Sequence, residues 1–382
     1  MRLNAYSSAH FSSRQKNMKT KTATIVFIAI AIAGMVFFLN DRYQPPAPGG
    51  ADGLKSENKT REVAGANGRK FSIPANVERI AAAGAMNQIV FMLGGGDKLV
   101  ATAEGVQKGF FPVVFPRIKE IPAACGGPGP GTLNMETLLK ANPQVVFGSY
   151  VNDKDVETLA SAGIALFGLK LETPPDIKDT ISMIGKIIGP EAEQKAAAFN
   201  RYYDQNLDYA RQTTAAAPKV KVFAANSDGG SGPIGTVPAN DILTSYINAA
   251  GGINIAAEKL PALLADGSAT VDFEFLIGQQ PEAIIAQNRQ IYDYITDGKN
   301  GSQWQYLDAV KNKKVYLNPK GVYLWSVRSA EGALEPLWLA KIMHPEKTAD
   351  LDIKQKTREF YRDNYRYELS DAQVENILFP EN

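Results

Sequence analysis

Three observations predict an α/β protein: two Rossmann-like lobes with parallel sheets, joined by one long α-helix, with a ligand cleft between the lobes. Short apolar runs alternate with helical patterns, this grammar restarts after Pro218, and one segment recurs in both halves. In the first half, Arg79–Ala83, Leu99–Ala103, Val145–Gly148 and Ile164–Leu169 have the length and composition of buried strands. Helical patterns at Asn87–Leu93, Asn134–Lys140 and Asp153–Ala162 separate them. In the second half, Val220–Ala224, Ala283–Ala286 and Lys314–Leu317 read as strands, with helices at Asn240–Ala250 and Gly332–Met343.

Between the halves, Pro190–Ala217 has no internal Pro or Gly. Pro190 sits at the helix start, Glu191 and Glu193 in its first turn, and Ala196, Phe199, Tyr203 and Leu207 form an apolar stripe. At about 1.5 Å per residue such a helix runs roughly 40 Å, enough to span a lobe as a rigid strut.

The recurring segment reads LNMETLLKANPQVVF over Leu133–Phe147 and VDFEFLIGQQPEAII over Val271–Ile285. Each copy offers an N-cap (Asn134 or Asp272), a Glu in the first turn (Glu136 or Glu274) and a proline stop leading into a strand. A lone Glu there is explained by helix stabilisation. Two copies at matching places in two lobes indicate a functional pair.

Composition narrows the function classes. The chain has 382 residues, 45% hydrophobic and 21% charged, which supports a large core and about two domains. With 41 basic and 40 acidic residues the net charge is +1, so sustained nucleic-acid binding is not expected. Two histidines and one cysteine are too few for a His/Cys zinc site or a disulfide framework. The chain also lacks a G-x-S-x-G elbow and a P-loop, so an enzyme is not expected, and a two-lobed α/β hydrolase working with carboxylates alone is the remaining alternative of that class.

The N-terminus places the body outside the cytoplasm. Thr22–Asn40 carries no charge and follows Arg14, Lys16, Lys19 and Lys21. Its 19 residues reach about 28 Å, just enough to cross a bilayer. Residues 1–43 therefore read as an export signal or membrane anchor. Retention as an anchor is favoured, because no A-x-A site follows directly; a start at Met18 would leave a compact signal. Residues 44–69, rich in Pro, Gly and charge, read as a tether. The lobes are expected at 70–189 and 218–382, joined by the helix at 190–217.

Five segments in order carry a family resemblance: Ile73–Gly84, the N-M-E-T-L-L-x-x-x-P motif with Glu136, Asn240–Asn254, the Glu274 segment and Trp304–Tyr316. Over roughly Arg79–Leu378 the chain resembles the periplasmic substrate-binding proteins of iron-siderophore and cobalamin-type ABC importers. The resemblance implies that Glu136 and Glu274 dock against arginines of the membrane permease, and through it reach an ATPase. It implies a solute receptor with no cofactor of its own, expected here as a monomer in the periplasm or on the outer face of the cytoplasmic membrane.

Ligands of such lobes bind where strand C-termini open onto loops. The first lobe offers Gly84 and Met86 after its first strand and Tyr150 after VVFG, with Gly105–Phe111 and Gly126–Gly131 as further loops. The second offers Asn226, Ser231, Gln287 and Arg289. Its last loop is the most informative: Tyr323, Trp325 and Arg328 lie within six positions and suit a planar or chelated anion. Arg328 also has Glu331 three residues on as a rival surface partner. These donors favour a metal already wrapped in a chelator, with ferric siderophore first and cobalamin or molybdate as alternatives. The amphipathic stretch Leu351–Asn382 is expected to pack on the second lobe.

Overall fold

The computed structural model describes residues 59–65, 68–126, 133–148, 151–230, 232–264, 267–299 and 302–381. The apolar segment Ala23–Leu39 and most of the expected tether lie outside the described residues, as do the candidate site residues Tyr150 and Ser231. No described helix is long and apolar enough to cross a membrane.

Strands β1 (Thr60–Ala64) and β2 (Lys70–Pro74) form an antiparallel hairpin. Its first strand falls within the stretch that composition assigned to the tether. Alternation explains the difference: Val63 and Ile73 are buried, while Glu62, Ala64 and Ser72 beside them are exposed. Arg61 fastens the hairpin by donating to the Lys186 and Ile187 carbonyls, which end a neighbouring helix.

The first parallel sheet contains β3 (Ile80–Ala82), β4 (Leu99–Ala101), β5 (Val145–Gly148) and β6 (Ala165–Gly168), in the order β4-β3-β5-β6. A second holds β7 (Val220–Ala225), β9 (Gly252–Asn254), β11 (Ala283–Ala286) and β12 (Val315–Leu317), in the order β12-β11-β7-β9. The two-residue strands β8 (Ile234–Gly235) and β10 (Thr270–Val271) pair separately. Strands β3, β5 and β11 are buried along their whole length, as inner parallel strands under helices must be, whereas the edge strand β9 leaves Ile253 exposed. On β5, Val145 and Phe147 join the core shared with the linker helix while Val146 faces outer helices. On β7, Val222 and Ala224 take the first role and Phe223 the second.

The linker helix runs Pro190–Thr214 without a break. Phe199, Tyr203 and Leu207 are buried along the expected stripe. It crosses helix Pro174–Ile188 closely because that helix carries Gly185 at the contact. A Cβ there would lie 2.8 Å from both the Ala192 carbonyl oxygen and the Ala196 Cβ. Towards the second lobe, the Tyr203 and Tyr246 hydroxyls hydrogen-bond to each other, and the Asn206 amide donates 2.8 Å to the Ala333 carbonyl.

The C-terminal stretch corrects the expectation that it packs on the second lobe alone. Helix Ile353–Phe360 continues into one π-helical turn, Tyr361–Tyr365, before helix Asp371–Leu378. Phe360 packs on Phe199 and Tyr202 of the linker helix, whereas Tyr361 and Tyr367 meet Phe110, and Tyr365 meets Phe91. Phe91 and Phe110 belong to the first half of the chain. Lys320 of the second half donates its backbone N–H to the Ile377 carbonyl. The stretch is therefore a strap over both lobes and the linker, which amphipathicity cannot reveal because it identifies a buried face without its partner.

The Gly185 contact makes a testable demand. Gly185→Ala gains up to about 1 kcal/mol of helix propensity yet meets backbone that cannot yield. It is expected to destabilise by about 1–3 kcal/mol, the usual cost of overpacking, measured by urea unfolding. A stabilised variant would show that the two helices can separate freely.

Candidate ligand cleft and docking surface

Chain order in the first sheet reverses between β3 and β5, and in the second between β7 and β11. Crevices open beyond the strand C-termini at such points. Residues following those strands are Gly84 after β3, Asn226 after β7 and Gln287 after β11. Gln287 and Asn226 are neighbours along one edge, since the Gln287 N–H donates to the Ala225 carbonyl at 3.0 Å. Beyond β12, Asn318 continues the edge through its N–H to the Ala286 carbonyl, and loop 320–328 follows.

The first-lobe turn is rigidly made. Gly84 has φ +46°, a left-handed conformation that glycine adopts without strain. Buried Asn87 donates to the Ala82 and Gly84 carbonyls at 2.8 and 3.0 Å and accepts from the Thr102 hydroxyl at 2.7 Å. Met86 opens the helix Met86–Met92 and is buried, so it supports the turn from beneath and presents no surface to a solute.

Opposite lies the last loop of the second lobe. The half-buried Tyr323 brings its hydroxyl to 3.6 Å from where a Gly84 Cβ would stand, so these two candidate residues meet across the seam. Burial raises the Tyr323 phenol above its ordinary value, keeping it a neutral donor. Trp325 does not join it: the indole is 0% exposed and packs inside the core, which removes the expected stacking face. Arg328 keeps 37% of its side chain exposed, and its guanidinium lies 3.5 Å from Asp241.

Asp241, and not Glu331, is therefore the ion-pair partner of Arg328. Glu331 is wholly buried beneath the loop. Asp241 caps helix Ile242–Ala249 by accepting from the Leu243 N–H at 2.9 Å. Burial pushes its carboxyl upward, with that amide and Arg328 opposing the shift. Along the neighbouring edge, Asn226 spends its amide on the Thr236 carbonyl at 3.1 Å. Arg289 turns away from the loop cluster: it donates 3.1 Å to the Pro380 carbonyl, pairs with Asp293 and stacks 4.0 Å over Phe379. It fastens the C-terminal end and is not available as a second cation for a solute.

Glu331 and Asp241 were missed as supporting residues. For Glu331 the signal was present, because Ala330–Ala340 is apolar apart from Glu331 and Glu335, a pattern that buries both. Among the described residues no group of three or more His, Cys, Asp or Glu is placed to hold a metal ion.

The two Glu segments fold alike. Asn134 accepts from the Thr137 N–H and Asp272 from the Phe275 N–H, as N-caps of helices Met135–Ala141 and Phe273–Gln279. Both helices end on a left-handed residue, Asn142 at φ 46° or Gln280 at φ 44°, just before the proline. Leu138 and Leu276 are buried at equivalent positions, which turns Glu136 and Glu274 outward. Leu139 and Ile277, one residue on, are 41% and 40% exposed, so each carboxylate has an aliphatic neighbour on the surface.

A family model described as periplasmic binding protein matches residues 80–321. The molybdate-binding protein MolA of Haemophilus influenzae is 24% identical over 258 residues, covering 62% of this chain and 70% of MolA. Its solved molybdate-bound structure superposes with a TM-score of 0.70 at 21% identity, over 81% of this chain and 99% of that one. A periplasmic solute binding protein from Veillonella parvula superposes with a TM-score of 0.72 at 24% identity, over 84% of this chain and 97% of that one.

The caps can be tested directly. Asn134→Ala and Asp272→Ala should each cost about 1 kcal/mol of stability, the usual value of a lost N-cap, in chemical denaturation. Values near zero would mean that the helix starts are held by packing alone.

Proposed function

The chain belongs to the periplasmic binding protein family, and from that premise we propose that it captures a metal-containing anion between its lobes for an ABC importer. The observation that carries the cargo reading is Arg328. Its half-exposed guanidinium stands in the loop whose Tyr323 meets Gly84 of the other lobe. A guanidinium paired on one side keeps further N–H donors for an oxyanion, and a neutral phenol adds another. An oxyanion of the molybdate type is the first reading, supported by the likeness to MolA. A ferric siderophore is the second; the half-buried Tyr323 ring favours it as a surface against which a flat chelate can lie. The uncharged segment Thr22–Asn40 acts in this reading as export signal or anchor, leaving the lobes outside the cytoplasmic membrane.

Delivery is assigned to Glu136 and Glu274, one on each lobe. Exposed carboxylates of this kind contribute modest affinity but set orientation and association rate against basic sockets of a permease.

A thermal-shift panel of molybdate, tungstate, ferric siderophores, haem and cobalamins tests the cargo. At 100 times its dissociation constant the right solute adds about 2.7 kcal/mol of stability. Arg328→Ala should then weaken binding about tenfold or more, as loss of a charged hydrogen bond does. A shift from ferric chelates alone would select the second reading, and no shift from any member would overturn both. Separately, Glu136→Ala with Glu274→Ala should abolish transport while solute affinity is unchanged. Lost affinity in that double variant would mean that these residues line the cleft.

A further inference from the structure

Beneath the loop that carries Tyr323 and Arg328 lies a closed hydrogen-bond cluster built from three distant parts of the chain. The Glu331 carboxyl receives the Tyr323 N–H at 2.6 Å, the Val322 N–H at 3.2 Å, the Gln88 amide at 3.1 Å and the Tyr361 hydroxyl. Gln88 stands on helix Met86–Met92, directly after the first-lobe turn of Gly84. Its carbonyl accepts the Ala330 N–H at 3.0 Å, and its amide also reaches the Tyr365 hydroxyl. The π-helical turn of the C-terminal strap supplies both phenols, four residues apart. Glu331, Gln88, Tyr361 and Tyr365 are all buried. The backbone is shaped to admit the cluster: a Cβ on Gly321 would overlap both the Tyr361 hydroxyl and the Glu331 carboxyl.

We infer that Glu331 is a positioning residue of the solute site, locking loop 320–328 of the second lobe onto the first-lobe helix and making that lock sensitive to proton uptake. The inference rests on the reading that this loop forms one wall of the cleft. Four donors converge on two oxygens, so the loop amides hold their place only while the carboxyl stays beneath them. Through Gln88 the same carboxyl ties both facing loops into one floor.

Proton sensitivity follows from the surroundings. Glu331 accepts from the Tyr361 phenol, the Gln88 amide and its own loop's amides, with the Tyr365 phenol beyond Gln88, and none of these groups is a cation. Burial raises the carboxyl to about 7, the four hydrogen bonds only partly opposing it. Burial holds both phenols far above their ordinary value, so they stay protonated. One turn on, Glu335 accepts from Asn318 and is raised by burial to about 8. A carboxyl raised in the locked state and ordinary when exposed favours the locked state at low pH. Locking is complete below the ordinary carboxylate range and weakens as pH rises through about 7.

Hydrogen exchange on the full-length chain tests this without any solute, so a panel in which nothing binds leaves the result untouched. The amides of Val322 and Tyr323 report the lock, and those of β7 serve as a reference in the same lobe. In Gln88→Ala and Glu331→Ala the two loop amides should exchange about tenfold faster or more, the scale of a lost charged hydrogen bond, while the reference is unchanged. Glu331→Gln keeps one acceptor and mimics the protonated carboxyl. It should restore protection at the loop amide that the remaining oxygen accepts from, and stay flat where the native chain loses protection between about pH 5 and 8. Glu335 is present in both, so its titration cancels. Unchanged loop exchange in Gln88→Ala, where the fold is least disturbed, would overturn the lock. Identical pH profiles for the native chain and Glu331→Gln would overturn the proton sensitivity.

Discussion

A buried carboxyl that must find donors is the constraint around which the two lobes are assembled. An ionisable group taken from water needs partners or it destabilises the core. Glu331 finds them in a helix more than two hundred residues earlier and in a strap thirty residues later. Satisfying one side chain thereby specifies how first lobe, second lobe and C-terminal segment meet. The linker helix sets the distance between the lobes through Gly185 and the Tyr203–Tyr246 contact. The Glu331 cluster sets the register of their facing loops. Neither would suffice alone, since a strut leaves rotation about its axis and a hydrogen-bond cluster leaves span undetermined.

The same division of labour separates the two surfaces to which a function is proposed. Glu136 and Glu274 sit on short helices whose ends are defined locally, by a side-chain cap before and a left-handed residue with proline after. Such a unit holds its carboxylate wherever the lobe goes, so the spacing between the two depends only on how the lobes are disposed. The cleft is the opposite case, because Tyr323 gains its position from contacts reaching across the seam.

Local physics made much of this legible in the sequence, and long-range partnership did not. Strands such as Val145–Gly148 and Ala283–Ala286 appeared as apolar runs bounded by turn residues, and Asn134 and Asp272 were recognisable caps because capping is decided within four residues. The linker helix was evident from its unbroken pattern. By contrast, Trp325 and Arg289 looked like ligand contacts because both residue types suit anions, and nothing nearby shows that one is sealed in the core while the other grips Phe379. Glu331 looked like a surface partner of Arg328 at three residues' distance, a spacing that matters only on a regular exposed helix. Here the intervening residues turn Glu331 inward and leave Arg328 to Asp241.

That last pairing shapes what the cleft can accept. Asp241 neutralises part of the Arg328 charge, and its side chain is only 17% exposed. An incoming anion therefore meets a guanidinium already oriented but partly satisfied, and must either share it or displace the aspartate. Sharing suits a compact anion, which can take the outward N–H groups while the Asp241 side stays paired. Displacement would leave Asp241 buried without its cation, a cost that grows with how completely the solute seals the cleft. Small, highly charged solutes gain from this arrangement, and bulky neutral ones do not. In the proposed reading selectivity would reside in the Arg328–Asp241 pair, with the cluster beneath it holding the loop in place.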